Sequence, residues 1–191
     1  MFTVYLLRHG AVKVQKGTFY GVTDYVLSGE GEEQVKKAAS DLESANIDII
    51  LSSPLKRAVQ SATIVSNQLH IPIREEKLLI EKSFGIFEGL TYEEIKNQYP
   101  GPFQLWEEDW YGYEMPGGES AASLHRRCIQ MKNLILREKK NMLLVSHQGC
   151  IRYLISEMLN LGEKNMWRFS VNNGKIAKII VNDEGFAYLE V

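Results

Sequence analysis

The sequence predicts a three-layer α/β/α sandwich with a mostly parallel central sheet. Short apolar runs of strand length alternate with longer segments whose apolar residues recur at helical spacing. Such alternation is typical of parallel strands joined by crossover helices, which cover both faces of the sheet. The chain has 191 residues, of which 45% are hydrophobic, and this is enough for one domain with a substantial core. We therefore interpret residues 1–191 as a single domain.

The first half of the chain is predicted to contain three strands and two helices. The strands are expected at residues 2–7, 47–51 and 71–73. The first helix follows Gly29, and its apolar stripe is Val35, Ala39, Leu42 and Ala45. The second begins near Pro54, because a first helical turn tolerates proline. Its stripe is Leu55, Ala58, Val59, Ala62, Val65 and Leu69.

The second half begins with an aromatic segment, residues 84–115, that is rich in turn residues. A helix follows, with its stripe at Leu124, Cys128, Met131 and Ile135. Residues 142–145 predict a fourth strand. Residues 176–181 and 186–191 predict a closing hairpin about Asp183-Glu184-Gly185, at one edge of the sheet.

The composition argues against several classes of partner. A net charge of -2 gives no general attraction to nucleic acid or to anionic membranes, so any positive field must be local. Cys128 and Cys150 are too few for a disulfide framework and lack metal-ligand spacing. The apolar N-terminal run meets Arg8 without a cleavage-site pattern, and no later segment is long enough to span a bilayer. We therefore expect a cytoplasmic protein without nucleic-acid or membrane partners. The oligomeric state stays open, with a dimer among the alternatives.

Polar residues follow the predicted strands at the points where these strands end. Arg8 and His9 follow the first strand, Arg57 follows the second, and His147 follows the fourth. In open α/β sheets, ligands bind beyond the carboxyl ends of the strands. The planar guanidinium group of arginine matches the oxygen atoms of phosphate. Two arginines and two histidines in one place would repel each other, so this edge predicts a site for a phosphate anion.

The motifs that carry these residues occur in a recognisable order. They are Arg8-His9-Gly10, Arg57, Glu81 before Phe84-Gly85, Pro116-Gly117-Gly118-Glu119-Ser120, and Ser146-His147-Gln148-Gly149. Each motif is short, but together they span almost the whole chain. In order and spacing the chain resembles the histidine phosphatase superfamily, which is phosphoglycerate mutase-like in fold. The resemblance implies a phosphatase that acts on a small phosphorylated metabolite.

The resemblance also implies a role for each catalytic residue. His9 would attack phosphorus to form a phosphohistidine, which divides one difficult hydrolysis into two easier steps. Arg8, Arg57 and His147 would hold the phosphoryl oxygens and stabilise their charge. Glu81 would protonate the leaving alkoxide and then accept a proton from water. No metal ion or other cofactor is required.

Taken singly, these residues have simpler interpretations. An arginine is more often part of a surface ion pair, and His147 could be an ordinary histidine at a helix start. Glu81 stands beside Lys82 in a charged stretch that would usually be solvated. The joint interpretation is favoured because the residues occur together in the family order.

The loop after His9 departs from the pattern of many family members. These carry a hydroxyl residue three positions after the nucleophile and an asparagine three positions further on, whereas this chain has Val12 and Gln15. Gln15 could still donate an amide N–H to phosphate, but Val12 cannot. Gln148, at an expected helix start, is a further candidate for phosphate binding.

The aromatic segment has two alternative interpretations, a helix that packs on the domain or a wall of the substrate site. Within the family, the chain looks more specifically like the α-ribazole phosphatases of cobalamin synthesis. The matching residues are Tyr20-Gly21, Phe84-Gly85, Phe87-Glu88, Trp106, Trp110, Ser146-His147-Gln148-Gly149, Met166-Trp167 and Phe169. This resemblance implies removal of the 5′-phosphate from α-ribazole phosphate or its cobamide form. The substrate would contact Tyr20, Gly21, Trp106 and Trp110, with its base near the tryptophans.

Three other functions stay open. The protein could be a broad-range small-molecule phosphatase, a phosphoglycerate mutase-like enzyme, or a binding module that does not turn its ligand over. The chain ends at Val191 without a tail of the kind that closes over mutase sites, so we expect water to reach the phosphohistidine. A binding module would be expected to lack His9, Glu81 or His147, and all three are present.

Overall fold

A six-stranded sheet forms the centre of the computed structural model, which describes residues 1–190. The strands are β1 (Phe2–Arg8), β2 (Ile49–Ser52), β3 (Ile73–Glu75), β4 (Met142–Ser146), β5 (Ile176–Val181) and β6 (Ala187–Glu190). They lie in the order β3-β2-β4-β1-β5-β6. The first four in this order pair in parallel, whereas β5 runs antiparallel to both β1 and β6. The mostly parallel sheet is therefore confirmed.

Helices cover both faces of the sheet. The α-helices are α1 (Gly29–Asp41), α2 (Lys56–Leu69), α3 (Tyr92–Gln98), α4 (Pro100–Glu108), α5 (Ala121–Glu138) and α6 (Gln148–Met158). Of these, α1 and α2 cover one face and α5 and α6 the other. Leu6 of β1 belongs to the core cluster that also contains Met131 of α5 and Leu154 of α6. Its neighbour Leu7 points to the other face and joins Val35 of α1. This alternation along a strand buried on both sides produces the predicted three layers.

The aromatic segment is more regular than its composition indicated, because it contains α3 and α4. Thr91 caps α3 in a capping box with Glu94, and Pro100 is the first residue of α4. Both are sequence signals for a helix start. Phe103 of α4 is buried in a third core cluster with Phe87, beside the sheet. The helix interpretation of this segment is therefore correct for residues 100–108.

Most strands differ from their predicted bounds by one or two residues. β3 begins at Ile73, because Pro72 lacks an N–H and contributes only its carbonyl oxygen, which accepts a bond from Ile50. The hairpin of β5 and β6 lies at one edge of the sheet, as predicted, and Val191 lies outside the described residues.

Within residues 1–190, no helix combines the length and apolarity that crossing a bilayer demands.

Candidate active site

Strand pairing brings the two histidines together. Arg8, the last residue of β1, pairs with Ser146, the last residue of β4. His9 and His147 are the next residues along the two parallel strands, so both leave the sheet at the same edge. Their ring centroids are 5.1 Å apart, and both rings are almost fully buried. Arg57 reaches them from the first turn of α2.

The hydrogen bonds of His9 determine which ring nitrogen carries the proton. Nδ1 lies 2.7 Å from the carbonyl oxygen of Gly10, which can only accept a hydrogen bond. Nδ1 is therefore protonated in the neutral ring, and Nε2 keeps its lone pair. The Asn173 amide also donates to the carbonyl oxygens of His9 and Gly10, which fixes this turn. This tautomer leaves Nε2 as the ring atom that is able to act as a nucleophile.

Arg57 lies between the two histidines and is fully buried. Its Nε is 3.3 Å from Nε2 of His9 and 3.2 Å from Nδ1 of His147. Its other nitrogens donate to the carbonyl oxygens of Gly21 and Thr23. Arg57 forms no ion pair with any carboxylate of residues 1–190. A buried guanidinium held by carbonyl groups keeps its full charge available for an anion.

Glu88 holds the loop that positions Arg57. Its two carboxylate oxygens accept hydrogen bonds from the backbone of Gly21, Val22, Thr23 and Phe84 and from the Thr23 hydroxyl. Burial by itself would raise the pKa of Glu88, but these hydrogen bonds lower it from its ordinary value. Glu88 was not among the site residues predicted from the sequence. Its only sequence signal was its place in the Phe87-Glu88 pair.

The electrostatic environment keeps both histidines neutral. Burial and the charges of Arg57 and Arg8 lower the pKa of His9 to about 3, against the opposing effect of its bond to Gly10. Burial, His9 and the nearby arginines lower the pKa of His147 well below its ordinary value. Nε2 of His147 lies 2.8 Å from the Ser53 hydroxyl, while its Nδ1 accepts from Arg57. An unprotonated His9 is what nucleophilic attack requires.

Glu81 is buried, so the alternative that it is a solvated surface residue is wrong. Its carboxylate accepts hydrogen bonds from the N–H groups of Lys82 and Gly149, each at 2.9 Å. Arg127 of α5 donates to the carbonyl oxygen of Ile80 at 2.8 Å and forms a two-bond ion pair with Glu119. The motif that contains Glu119 therefore helps to fix the segment that presents Glu81.

These groups surround an open cavity of about 290 Å³. Its polar lining includes Arg8, His9, Arg57, Glu81, His147 and Gln148, and Thr18 and Tyr20 also lie at its wall. Arg8 donates to the side-chain oxygen of Gln148 and to the carbonyl oxygen of Val171, while its buried Nε has no partner within residues 1–190. The cavity thus combines positive charge, a neutral imidazole and a carboxyl group.

Two other predicted contact residues lie outside this lining. Gln15 is exposed, and its carbonyl oxygen accepts a bond from Thr18. Gly21 contributes its carbonyl oxygen to Arg57, and a side chain there would collide with the carbonyl oxygen of Lys82, 1.7 Å from an added Cβ. Gly21 therefore contacts the site through Arg57. Val12, where the loop after His9 departs from the family pattern, forms an isolated bridge with Leu27.

An apolar cavity of about 390 Å³ adjoins the first and shares Phe19, Glu81, Phe84 and Gln148 with it. Trp106 and Trp110 both line this second cavity. Trp106 also packs against Phe103, with ring centroids 6.0 Å apart, and Trp110 contacts Trp167 at 5.5 Å. The two interpretations of the aromatic segment are therefore compatible, because α4 packs on the domain while its end faces a cavity.

Known proteins resemble the chain over nearly its whole length. The phosphoserine phosphatase 1 of Hydrogenobacter thermophilus is 29% identical over 182 residues, which is 94% of this chain and 86% of that protein. The adenosylcobalamin/alpha-ribazole phosphatase of Escherichia coli is 27% identical over 191 residues, which is 98% of this chain and 94% of that protein.

A solved structure agrees with this similarity. The alpha-ribazole phosphatase from Shigella flexneri superposes with a TM-score of 0.91 at 28% identity, covering 100% of this chain and 95% of the other. Residues 4–191 match the histidine phosphatase superfamily (branch 1). The phosphatase fold, the order of the motifs and this match over nearly every residue lead to one conclusion: the chain belongs to the histidine phosphatase superfamily.

Proposed function

We propose that the protein hydrolyses phosphomonoesters without a metal ion, through a phosphohistidine formed on His9. The observation that carries this proposal is the bond from His9 Nδ1 to the Gly10 carbonyl oxygen, because it leaves Nε2 unprotonated. The Nε2 lone pair accepts a 3.3 Å hydrogen bond from Nε of Arg57, which a bound phosphate can replace. His9 lines the same cavity as Arg8 and Arg57. A neutral nucleophile therefore lies beside the positive charges that a phosphate dianion requires.

In the first step, Nε2 of His9 bonds to phosphorus while the bond from phosphorus to the ester oxygen breaks. Glu81, in its carboxylic acid form, gives its proton to the departing oxygen, so the product is a neutral alcohol. Arg8, Arg57 and His147 stabilise the charge on the three remaining phosphoryl oxygens. For His147 this requires a proton on Nδ1, which a bound dianion favours.

In the second step, water attacks phosphorus and the bond from phosphorus to Nε2 breaks. The Glu81 carboxylate accepts a proton from this water molecule. Inorganic phosphate leaves, and His9 and Glu81 return to their starting protonation states. The same carboxyl group thus acts first as an acid and then as a base.

We assign α-ribazole 5′-phosphate, or its cobamide form, as the preferred substrate, which would give the enzyme a role in cobalamin synthesis. The similarity to the Escherichia coli relative supports this assignment. So does the apolar cavity beside Glu81, where Trp106 and Trp110 offer aromatic faces on which a benzimidazole base can stack. The leaving alcohol would occupy this cavity while its phosphate contacts His9.

A substrate panel tests the assignment. We expect kcat/KM for α-ribazole 5′-phosphate to exceed that for 3-phosphoglycerate, fructose bisphosphates and nucleotides by at least about tenfold, a difference of roughly 1.4 kcal/mol in transition-state binding. Similar values across the panel would indicate a broad-range phosphatase. Transfer of phosphate between the two hydroxyls of phosphoglycerate would indicate a mutase.

Phosphoserine belongs in the same panel as a second candidate substrate. The similarity to the Hydrogenobacter thermophilus phosphoserine phosphatase supports it at a comparable level of identity. A clear preference for phosphoserine would replace the α-ribazole assignment and leave the chemistry at His9 unchanged.

A binding module without activity makes a different prediction. The test is incubation with p-nitrophenyl phosphate and EDTA between pH 5 and 8. We expect nitrophenol to be released, since no metal takes part in the proposed steps. No release at any pH would favour binding over catalysis.

A further inference from the structure

Lys82 is a buried cation that the proposed chemistry does not use. It follows Glu81 directly and is only 6% exposed. Its side chain lines the apolar cavity that begins at Glu81 and continues between Trp106 and Trp110. Because Glu81 faces the ester oxygen in the proposed mechanism, this cavity receives the departing alcohol.

The ammonium group of Lys82 has no anionic partner among residues 1–190. It forms neither an ion pair nor a side-chain hydrogen bond there, and it lies 5.2 Å from the centroid of the Phe84 ring. Burial lowers the pKa of Lys82 to about 8, although Glu119 and Glu81 oppose the shift. Enclosing an ammonium group without an anionic partner is unfavourable, so the position favours a ligand that supplies the missing charge from the cavity.

A second cation and an unpartnered hydroxyl line the same cavity. Arg152 of α6 donates through Nε to the carbonyl oxygen of Phe169 at 2.8 Å, and its guanidinium lies 5.3 Å from the Trp167 ring centroid. The buried Tyr153 hydroxyl has no hydrogen-bond partner within residues 1–190. The cavity therefore offers aromatic walls, two positive charges and a free polar group.

We infer that Lys82 and Arg152 bind a second anionic group, a carboxylate or a phosphate, on the alcohol that leaves. The substrate class is then a phosphomonoester of an aromatic or apolar alcohol that carries a further negative charge. This inference rests on the proposed hydrolysis at His9 and adds a requirement on the leaving group. Phosphoserine meets it through its carboxylate and the cobamide form through its phosphodiester, whereas free α-ribazole 5′-phosphate does not, so within the assignment above the inference favours the cobamide form. A charged ligand group would satisfy the buried ammonium, and it would not fit a purely apolar pocket.

Three aryl phosphates of similar size test the inference. They are 3-ethylphenyl phosphate, 3-(carboxymethyl)phenyl phosphate and 3-(phosphonomethyl)phenyl phosphate, in which a methylene group insulates the phenol oxygen from the added charge. We expect kcat/KM for at least one anionic ester to exceed that of the neutral ester by about tenfold or more. The anionic ester with the higher kcat/KM shows whether the second anionic group of the substrate is a carboxylate or a phosphate.

Variants of Lys82 connect this preference to the ammonium group. We expect Lys82→Gln to reduce the ratio of anionic to neutral kcat/KM to near one, Lys82→Arg to keep most of it, and the exposed-site control Lys164→Gln to keep all of it. The wild-type ratio should also decline as pH rises above about 8, where the free ammonium loses its proton. Equal rates for neutral and anionic esters in the wild type, or an unchanged ratio in Lys82→Gln, would overturn the inference. Failure to hydrolyse any of the three esters would overturn the proposed function as well.

Discussion

The N–H of Gly149 donates a hydrogen bond of 2.9 Å to Oε2 of Glu81. The same glycine leaves the space that the carboxylate occupies, because an added Cβ would lie 2.5 Å from Oε1 of Glu81. Gly149 lies in the first turn of α6, directly after His147 and Gln148. One helix start thus positions both His147, a proposed phosphate ligand, and Glu81, the proposed general acid.

Gly149→Ala should therefore displace Glu81 without unfolding the protein. Alanine inside a helix is favoured over glycine by about 0.5–1 kcal/mol, so stability should hold or rise slightly. We expect kcat for alkyl phosphates to fall by about 10- to 100-fold, which is part of the roughly 100- to 10,000-fold that general acid catalysis contributes, because Glu81 is displaced and not removed. The rate with p-nitrophenyl phosphate should fall much less, since its leaving group needs no proton.

Gly101→Ala in α4 is the matched control, because an added Cβ there meets no atom within 4 Å. Its activity should equal that of the wild type. An equal loss for both kinds of ester in Gly149→Ala would contradict the role of Glu81 as the acid.

Glu88→Gln should weaken the site by loosening the loop that holds Arg57. Both oxygens of Glu88 accept hydrogen bonds, and an amide would turn an NH₂ group toward one set of donors. We expect kcat/KM to fall by about tenfold or more, and stability to fall by roughly 1–3 kcal/mol. Chemical denaturation and steady-state kinetics measure the two effects.

Glu33→Gln is the control for this substitution, because its surface pair with Lys36 contributes little. If Glu88→Gln lost stability but kept wild-type kcat/KM, the proposed link from Glu88 to Arg57 would be wrong.

The buried histidines should make stability depend on pH in a defined direction. The pKa of His9 is lowered to about 3 and that of His147 is also lowered, whereas unfolded histidine titrates near 6.5. Between these values the unfolded chain binds protons that the folded chain does not, so the free energy of unfolding falls as pH drops below 6.5. The slope should approach about 1.4 kcal/mol per pH unit for each histidine.

Urea unfolding between pH 6.5 and 5 measures this slope before most carboxylates titrate. His9→Ala should reduce it by about one histidine's share. A stability that stays level across this range in the wild type would contradict neutral buried histidines.

Trp110→Ala separates a substrate contact from a packing contact. Trp110 contacts Trp167 at the cavity, whereas Trp106 packs against several core rings. We expect Trp110→Ala to raise KM for α-ribazole 5′-phosphate about tenfold, in line with the roughly 1–3 kcal/mol of a stacked base. KM for glycerol phosphate should stay near the wild-type value, and Trp106→Ala should lower the melting temperature more. Equal increases in KM for both substrates would argue against stacking on Trp110.

The sequence was sufficient to predict the sheet, its covering helices and the meeting of His9, Arg57 and His147. The three site residues could be predicted because each follows the end of a strand, and hydrophobic periodicity locates strand ends to within a few residues. The helix of residues 92–98 was not predicted, although Thr91 and Glu94 form a recognisable capping box, and a helix at residues 100–108 was only one of two interpretations. The density of aromatic and turn residues in this segment obscured that signal.

The burial of Glu81 and Lys82, and the half-buried position of Glu88 beneath the loop at Gly21, could not be predicted from the sequence. Glu81 and Lys82 belong to a charged stretch of the chain, and only tertiary packing against Arg127 and Phe84 encloses them. The same limit applies to Gln15, whose exposed position depends on the path of its loop. Local patterns identify residue types at strand ends, but they do not determine which charges the fold removes from water.

Direct detection of phosphate on His9 tests the central claim. The enzyme is mixed with ³²P-labelled phenyl phosphate, quenched within milliseconds in alkali, where phosphohistidine survives, and digested for peptide mapping. We expect the label on the peptide that contains His9, at the imidazole, and no label in His9→Ala. Turnover by the wild type without label on His9, or sustained turnover by His9→Ala, would contradict the mechanism.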